Sequence, residues 1–389
     1  MPTTYEMRPA IWADIRPEQW QDWHWQQQNR LRSVEALEAV VALSDAERAA
    51  FAASSEAFRV AITPHYATLM EASCDPAGPT RCPIRLQALP HPGELVEYAF
   101  ELDDPLAEEA HMPVPGITHR YPDRVLFYAS HNCPMYCRHC TRKRKVSDPT
   151  TAASRTQIAQ GLDYIRRTKT VRDVLVSGGD PLTLSDARLG EILHGLREIE
   201  HVEVIRLGTR NPVTLPQRIT PEFCEMLRGV RPLYLHTHFN HPRELGEDAA
   251  RALRMLLDAG CVLGNQMVLL KGVNDDPETV LELNRKLLIH GCRPYYMLQC
   301  DMARGITHFR TPLSTGLRIV EYLRGRIGGM GIPDFVVDLP GGGGKIELSP
   351  DYIIDRKPCE IEGVIGEQIT FQNWAGETFE FVDLADSSS

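Results

Sequence analysis

Within "CPMYCRHC" stand Cys133, Cys137 and Cys140, spaced C-x3-C-x2-C. Three thiolates are one ligand short of a closed tetrahedral metal site. Zinc could complete its shell with His139 or a distant cysteine, but zinc modules usually pair two short C-x2-C elements and this sequence has one cluster. A 4Fe–4S cluster held at three of its irons uses the deficit instead. Its fourth iron stays open to a ligand that chelates through an amine and a carboxylate. The spacing, and the position just after a strand-like run, favour the cluster.

Other stretches could do chemistry beside it. "SGGDPL" supplies Ser177, Gly178, Gly179 and Asp180, a glycine turn that signifies little alone but more in order behind the cysteines. "DLPGGGGKIEL" runs four glycines into Lys345 inside otherwise strand-like sequence. Glycine lets backbone approach a ligand closely, and a desolvated lysine has a lowered pKa and forms Schiff bases, which suits pyridoxal phosphate (PLP). A phosphate needs its own site, and "HRYPDR" offers Arg120, Tyr121 and Arg124 just before the first strand. Asp301 in "QCDMARG" and Asp338 in "FVVDLPG" are carboxylates near strand ends. Two buried carboxylates facing one pocket predict a cationic side chain as their partner.

These residues need a scaffold. From about residue 125 the runs "RVLFYAS", "DVLVSGG", "VEVIRLGT", "LYLHTHF", "NQMVLL", "YYMLQ" and "FVVDL" alternate with helical periodicity. Ile158, Leu162 and Ile165 share one helix face; Leu189, Ile192, Leu193 and Leu196 share another. Asp276–Pro277 reads as N-cap and first helical residue, with Gly291 closing the helix. Strand–helix alternation predicts a parallel sheet with right-handed crossovers, and polar residues gathered after the strands predict a complete or partial (β/α) barrel. Ahead of it, Ser44 to Glu47 form a capping box, and Trp20, Trp23 and Trp25 read as a packing cluster. Residues 74–116 are rich in proline and read as a wrapping segment. The chain ends in a short alternating piece and a polar tail.

Composition narrows the class. The 389 residues are 43% hydrophobic and 24% charged, ordinary for a globular α/β protein. A net charge of −10 argues against coating nucleic acid. No apolar run reaches bilayer length and the N-terminus lacks a signal-peptide pattern, so the expectation is a cytoplasmic protein with reduced cysteines.

Together "HRYPDR", "CPMYCRHCTR", "SGGDPL", "NQMVLLKGVND", "LQCD", "HFRTP" and "VVDLPGGGGK" resemble the lysine 2,3-aminomutase family, from Gln21 to Ile354 in colinear order. The resemblance implies a radical S-adenosylmethionine (SAM), PLP-dependent isomerase that moves the α-amino group of lysine to the β-carbon. Its fold is α/β: a partial (β/α) barrel of the radical SAM type over residues 116–345, with an N-terminal helical and wrapping segment (1–115) and a short C-terminal extension (346–389). It implies Cys133, Cys137 and Cys140 on a 4Fe–4S cluster; Ser177, Gly178, Gly179 and Asp180 at SAM; and Lys345 with Arg120, Tyr121 and Arg124 at PLP. Substrate contacts are Arg142 at the carboxylate and Asp301 with Asp338 at the ε-ammonium. Alternatives are another cationic amino acid (ornithine or arginine), lysine turnover for elongation-factor modification, or a non-enzymatic zinc module. Implied partners are the amino-acid substrate and an external electron donor such as flavodoxin or ferredoxin, with no nucleic acid and no membrane. Asp276 stands where relatives use a zinc-binding cysteine, so a homo-oligomer without structural zinc is expected.

Overall fold

The protein is described from a computed structural model covering residues 2–54, 58–75, 80–146, 148, 150 and 152–384. Nine strands form one sheet in chain order. β1 (Ile117–Tyr121) and β2 (Arg124–Ser130) make an antiparallel hairpin. From β2 the ladder is parallel through β3 (Asp173–Gly178), β4 (Val204–Gly208), β5 (Leu233–Thr237), β6 (Cys261–Leu269), β7 (Arg293–Gln299) and β8 (Asp334–Leu339). β9 (Gly344–Glu347) then folds back antiparallel on β8. Each strand pairs with the next in sequence, so the sheet winds one way and curls toward a barrel without a ladder joining β1 to β9. The expected partial (β/α) barrel is what forms.

Apolar content explains the layers. Val174, Val176, Ile205, Leu207, Leu233 and Leu235 are all fully buried, as parallel strands covered by helices must be. Outside them, helix Asp186–Arg197 buries Leu189, Ile192, Leu193 and Leu196. Each such side chain contributes about 1.5–3 kcal/mol relative to exposure. Helix Pro277–Ile289 starts where Asp276 accepts the Thr279 N–H at 2.9 Å, and Gly291 beyond its end takes φ +66.

The N-terminal hundred residues form short helices, among them Pro17–Gln21, Trp23–Gln28, Asp45–Ser54 and Pro83–Ala88. Trp20 is fully buried, with Trp12 and Trp25 against it at ring-centroid distances of 5.4 and 5.7 Å. Ser44 and Glu47 make the capping box.

Two elements depart from the sequence reading. "HRYPDR" does not precede the first strand: His119, Arg120 and Tyr121 lie on β1 itself, and Asp123 sits in the hairpin turn. The ending is more than a short alternating piece. Strands β10 (Ile353–Ile361), β11 (Val364–Gln372) and β12 (Thr378–Leu384) form a separate antiparallel sheet. Charges and Pro358 within β10 mask its alternation. The polar tail read beyond it, residues 385–389, lies outside the described residues.

Candidate active site

The three cysteines occupy the loop that follows β2, at the C-terminal end of the parallel strands. Local bonds shape the loop: Asn132 N–H donates to Ser130 Oγ at 3.1 Å, and Cys140 N–H to the Cys137 carbonyl at 3.1 Å. The N-terminal segment then grips it. Tyr136 N–H reaches the Ala61 carbonyl at 3.2 Å, Arg138 N–H the Gln87 carbonyl at 2.9 Å, and Arg30 donates to the Cys133 carbonyl at 2.7 Å. Arg138, fully buried between two of the cysteines, forks onto Glu94 at 2.8 and 2.6 Å. Lys143 meets the same carboxylate at 3.0 Å.

The thiols crowd one another electrostatically. Burial first, then the charges of Asp180, Cys140 and Cys137, push Cys133 well above the ordinary thiol range. Burial and Cys137 push Cys140 up to about 11. Such a set releases its protons only to a strong local positive charge, as bound metal supplies. Among the described residues no three His, Cys, Asp or Glu side chains converge to hold a single ion. A four-iron cluster takes each thiolate on a different iron, and three electrostatically coupled thiols on one loop are a donor set that fits it. His139, the candidate fourth zinc ligand, is buried edge-on to Phe309, its Nε2 3.5 Å from the Asn240 amide.

Ser177 and Gly178 end β3, and the chain beyond them runs against the cysteine loop. Gly179 N–H donates to the Ser130 carbonyl at 2.5 Å and Asp180 N–H to the Asn132 carbonyl at 2.7 Å. The glycines are required by that approach: a Cβ on Gly178 (φ +131) would stand 2.4 Å from the Ser130 carbonyl, and one on Gly179 2.6 Å from that of Asn132. The Asp180 carboxylate is buried in a network, accepting from Leu182 N–H, Thr209 Oγ and Arg210 N–H between 2.8 and 3.0 Å. It therefore organises the end of β4.

Arg210 was not foreseen from sequence. Its Nη1 lies 2.8 Å from Cys137 Sγ, while Nη2 binds Gln87 at 2.5 Å and Glu244 at 2.7 Å. Burial opposes its charge, but Cys137 and Glu244 hold its pKa above the usual arginine value.

A cavity of about 360 Å³ opens through the barrel interior. Arg120, Tyr121, Arg124, Arg142, Asp338 and Lys345 all line it, so the structure brings these expected site residues together. Glu108, Asp173, Arg206, Gln266, Tyr295 and Tyr296 also line it and carried no local sequence signal. The cationic and aromatic walls, with one lysine, fit a phosphorylated aromatic aldehyde such as PLP. The glycine run makes the β8–β9 turn: Gly341, Gly342 and Gly344 have φ +69, +86 and +86. It sets Lys345 directly opposite Asp338, and their side chains form an ion pair. The expectation of a desolvated lysine is corrected here. Lys345 keeps 33% of its side chain exposed, and a carboxylate meets its charge. Arg120 also departs from a waiting anion site, since its guanidinium binds Asp338 at 3.1 Å, Tyr121 Oη at 3.2 Å and the Leu106 carbonyl at 3.3 Å. Arg124 stacks over the Tyr121 ring at 4.1 Å.

Arg142 bridges the two halves of the site. Glu108 takes its Nε and Nη2 at 2.8 and 2.6 Å, and the Gly178 carbonyl accepts from Nη1 at 3.3 Å. That leaves the Nη1–Nη2 edge partly open for a carboxylate end-on. Asp301 is the second residue beyond β7 and Asp338 lies near the end of neighbouring β8. Burial, then the Asp338 charge, pushes Asp301 up to about 7 despite Lys345 and Arg142 nearby.

Comparison with known proteins agrees with this geometry. The Radical SAM superfamily model matches residues 127–283, and the Lysine-2,3-aminomutase model residues 320–374. An L-lysine 2,3-aminomutase of Fusobacterium nucleatum is 47% identical over 96% of this chain and 88% of its own length. That of Clostridium subterminale is 48% identical over 92% of this chain and 86% of its own. A glutamate 2,3-aminomutase of Clostridioides difficile is 40% identical over 94% of this chain and 83% of its own. With three thiols beside a glycine turn and a lysine paired with an aspartate beside the barrel seam, the chain belongs to the lysine 2,3-aminomutase family of radical SAM isomerases, whose cofactors are a 4Fe–4S cluster, SAM and PLP.

Proposed function

We propose that this enzyme converts L-lysine to β-lysine by 2,3-amino migration, and that Asp301 and Asp338 select the cationic side chain. One observation carries the choice of substrate: two carboxylates at the ends of adjacent strands, of which Asp338 already holds Lys345 and Arg120 while no hydrogen bond or ion pair links Asp301 to any described residue. A half-buried carboxylate left in that state, beside a second one, calls for an incoming cation. A glutamate side chain would bring a third carboxylate to the pair, and such like-charge contact costs several kcal/mol.

In this reading Cys133, Cys137 and Cys140 hold the cluster, and the Ser177–Gly179 main chain flanks SAM. Asp180 contributes by holding the Thr209–Arg210 backbone in place. Lys345 anchors PLP, with Arg120, Tyr121 and Arg124 toward its phosphate. When bound, the cluster and SAM would supply radical hydrogen removal at the β-carbon, and PLP would supply carbonyl chemistry that assists migration of the amino group. The protein's own work is orientation. Arg142 fixes the substrate carboxylate at one end and the two aspartates its ammonium at the other, which sets the hydrogen that is reached. Glu108 keeps the Arg142 fork from rotating, and the N-terminal segment helps exclude water.

The same reading places the enzyme in the cytoplasm, reduced by a flavodoxin- or ferredoxin-type donor, and as a homo-oligomer without structural zinc. Exposed Ile365, Trp374, Phe379 and Leu384 around β10–β12 support self-association, and a monomer by light scattering would overturn it. Asp276, serving as a helix cap, supports the absence of zinc; stoichiometric zinc in purified protein would refute it.

The substrate assignment is tested by anaerobic reconstitution with reductant and SAM, followed by mass-resolved analysis of β-amino acids from lysine, ornithine, arginine and glutamate. Lysine should give the greatest turnover. Glutamate turnover equal to that of lysine would refute the role of the aspartates.

A further inference from the structure

We propose that Arg210 raises the reduction potential of the cluster through Cys137, and that Glu244 behind it limits the effect. The inference rests on reading the three cysteines as cluster ligands. Arg210 follows β4, where Asp180 accepts its main-chain N–H at 2.8 Å. From there the guanidinium crosses to the cysteine loop, and Nη1 stands 2.8 Å from Cys137 Sγ. Three of its other four donors are fixed: Nε to the His238 carbonyl at 3.1 Å, and Nη2 to Gln87 at 2.5 Å and Glu244 at 2.7 Å. The group is 8% exposed, so solvent screens it little.

Hydrogen bonds to the sulfurs and local net charge are the protein's levers on a cluster's potential. Reduction adds an electron, and a cationic N–H on a ligand sulfur favours the more negative state. Arg210 therefore makes the electron easier for the cluster to accept from a donor, while lowering the driving force for passing it on to SAM. Glu244 is itself fully enclosed, and its carboxylate offsets part of that field. A merely structural clamp would hold the loop together without moving the potential.

Full-length wild type, Arg210→Gln, Arg210→Lys and Glu244→Gln are reconstituted anaerobically, and the cluster midpoint is read by electron paramagnetic resonance during redox titration. The expected result is a negative shift in Arg210→Gln, a smaller one in Arg210→Lys, and a positive shift in Glu244→Gln. Unchanged midpoints, or shifts of one sign in Arg210→Gln and Glu244→Gln, would overturn the proposal. Loss of iron from both Arg210→Gln and Glu244→Gln would also overturn it, in favour of a structural clamp. A wild-type protein with no 4Fe–4S signal would instead remove the cluster assignment on which the inference stands.

Discussion

The main-chain N–H of Lys345 donates to the Tyr121 hydroxyl at 2.9 Å, joining two edge strands that share no ladder. Arg120 on β1 and Asp338 on β8 tie the same seam at 3.1 Å. The gap in the barrel is thus bridged by residues proposed above for PLP, Arg120, Tyr121 and Lys345, together with Asp338.

Gly344 is where that seam is tightest. It sits at φ +86, and a Cβ there would stand 3.2 Å from Tyr121 Oη. Gly344→Ala should cost about 1–2 kcal/mol of stability from the left-handed backbone. It should also lower turnover by roughly 10²-fold, because Lys345 is displaced. Thermal unfolding and steady-state kinetics measure the two effects; unchanged kinetics would contradict the seam's role.

Neutralising the carboxylate pair should strike the cationic substrate. Asp301→Asn is expected to lower kcat/KM for lysine by about 10²–10⁴-fold, corresponding to the roughly 3–5 kcal/mol of a broken buried ion pair. KM should carry most of the loss. A parallel kinetic series with glutamate should show no such penalty.

The elevated Asp301 makes lysine binding depend on proton release. Burial and the Asp338 charge lift its carboxyl from 3.8 to about 7, against Lys345, Arg142 and Arg310. An acid with a raised folded pKa destabilises the empty fold increasingly as pH climbs from 3.8 toward 7. Bound ammonium reverses that penalty by pairing with the ionised form. KM for lysine should therefore fall as pH rises through about 7, and Asp301→Asn should flatten the profile. A pH-independent KM in the unmodified enzyme would rule this out.

Glu108, on the cavity wall, fixes Arg142 through two hydrogen bonds. Glu108→Gln keeps the shape but weakens the charged fork. The expected outcome is about a 10²-fold drop in kcat/KM from misplacement of the substrate carboxylate. Cluster content, read by iron analysis, should stay as in the parent.

Glu94 serves the cysteine loop. Its loss leaves fully buried Arg138 without its carboxylate, so Glu94→Gln should cost about 3–5 kcal/mol. Glu94 is held ionised: burial opposes this, but Arg138 and Lys143 keep its pKa below the usual carboxylate value. That contribution is present at neutral pH and lost as pH falls through the lowered folded pKa. Chemical denaturation and iron retention would report it; a variant as stable as its parent would refute the clamp.

All seven parallel strands, the cysteine triad, the glycine–lysine turn and the Asp276 cap were legible because each is written in contiguous residues. Periodicity and short-range spacing report local backbone geometry and metal-ligand chemistry directly. Strands β1 and β10 were not, since their polarity hides the alternation that marks a strand, and of the terminal sheet only the alternating piece at its end was read. Glu94, Glu108, Gln87 and Arg210 were invisible for a different reason. Each is an ordinary polar residue in sequence, and its partner lies 44, 34 or 123 positions away for Arg138–Glu94, Arg142–Glu108 and Arg210–Gln87. Residue types alone thus determined which chemistry the chain carries. Only folding decided which charges meet in the dry interior, where a buried ion must find its counterpart wherever the chain brings one.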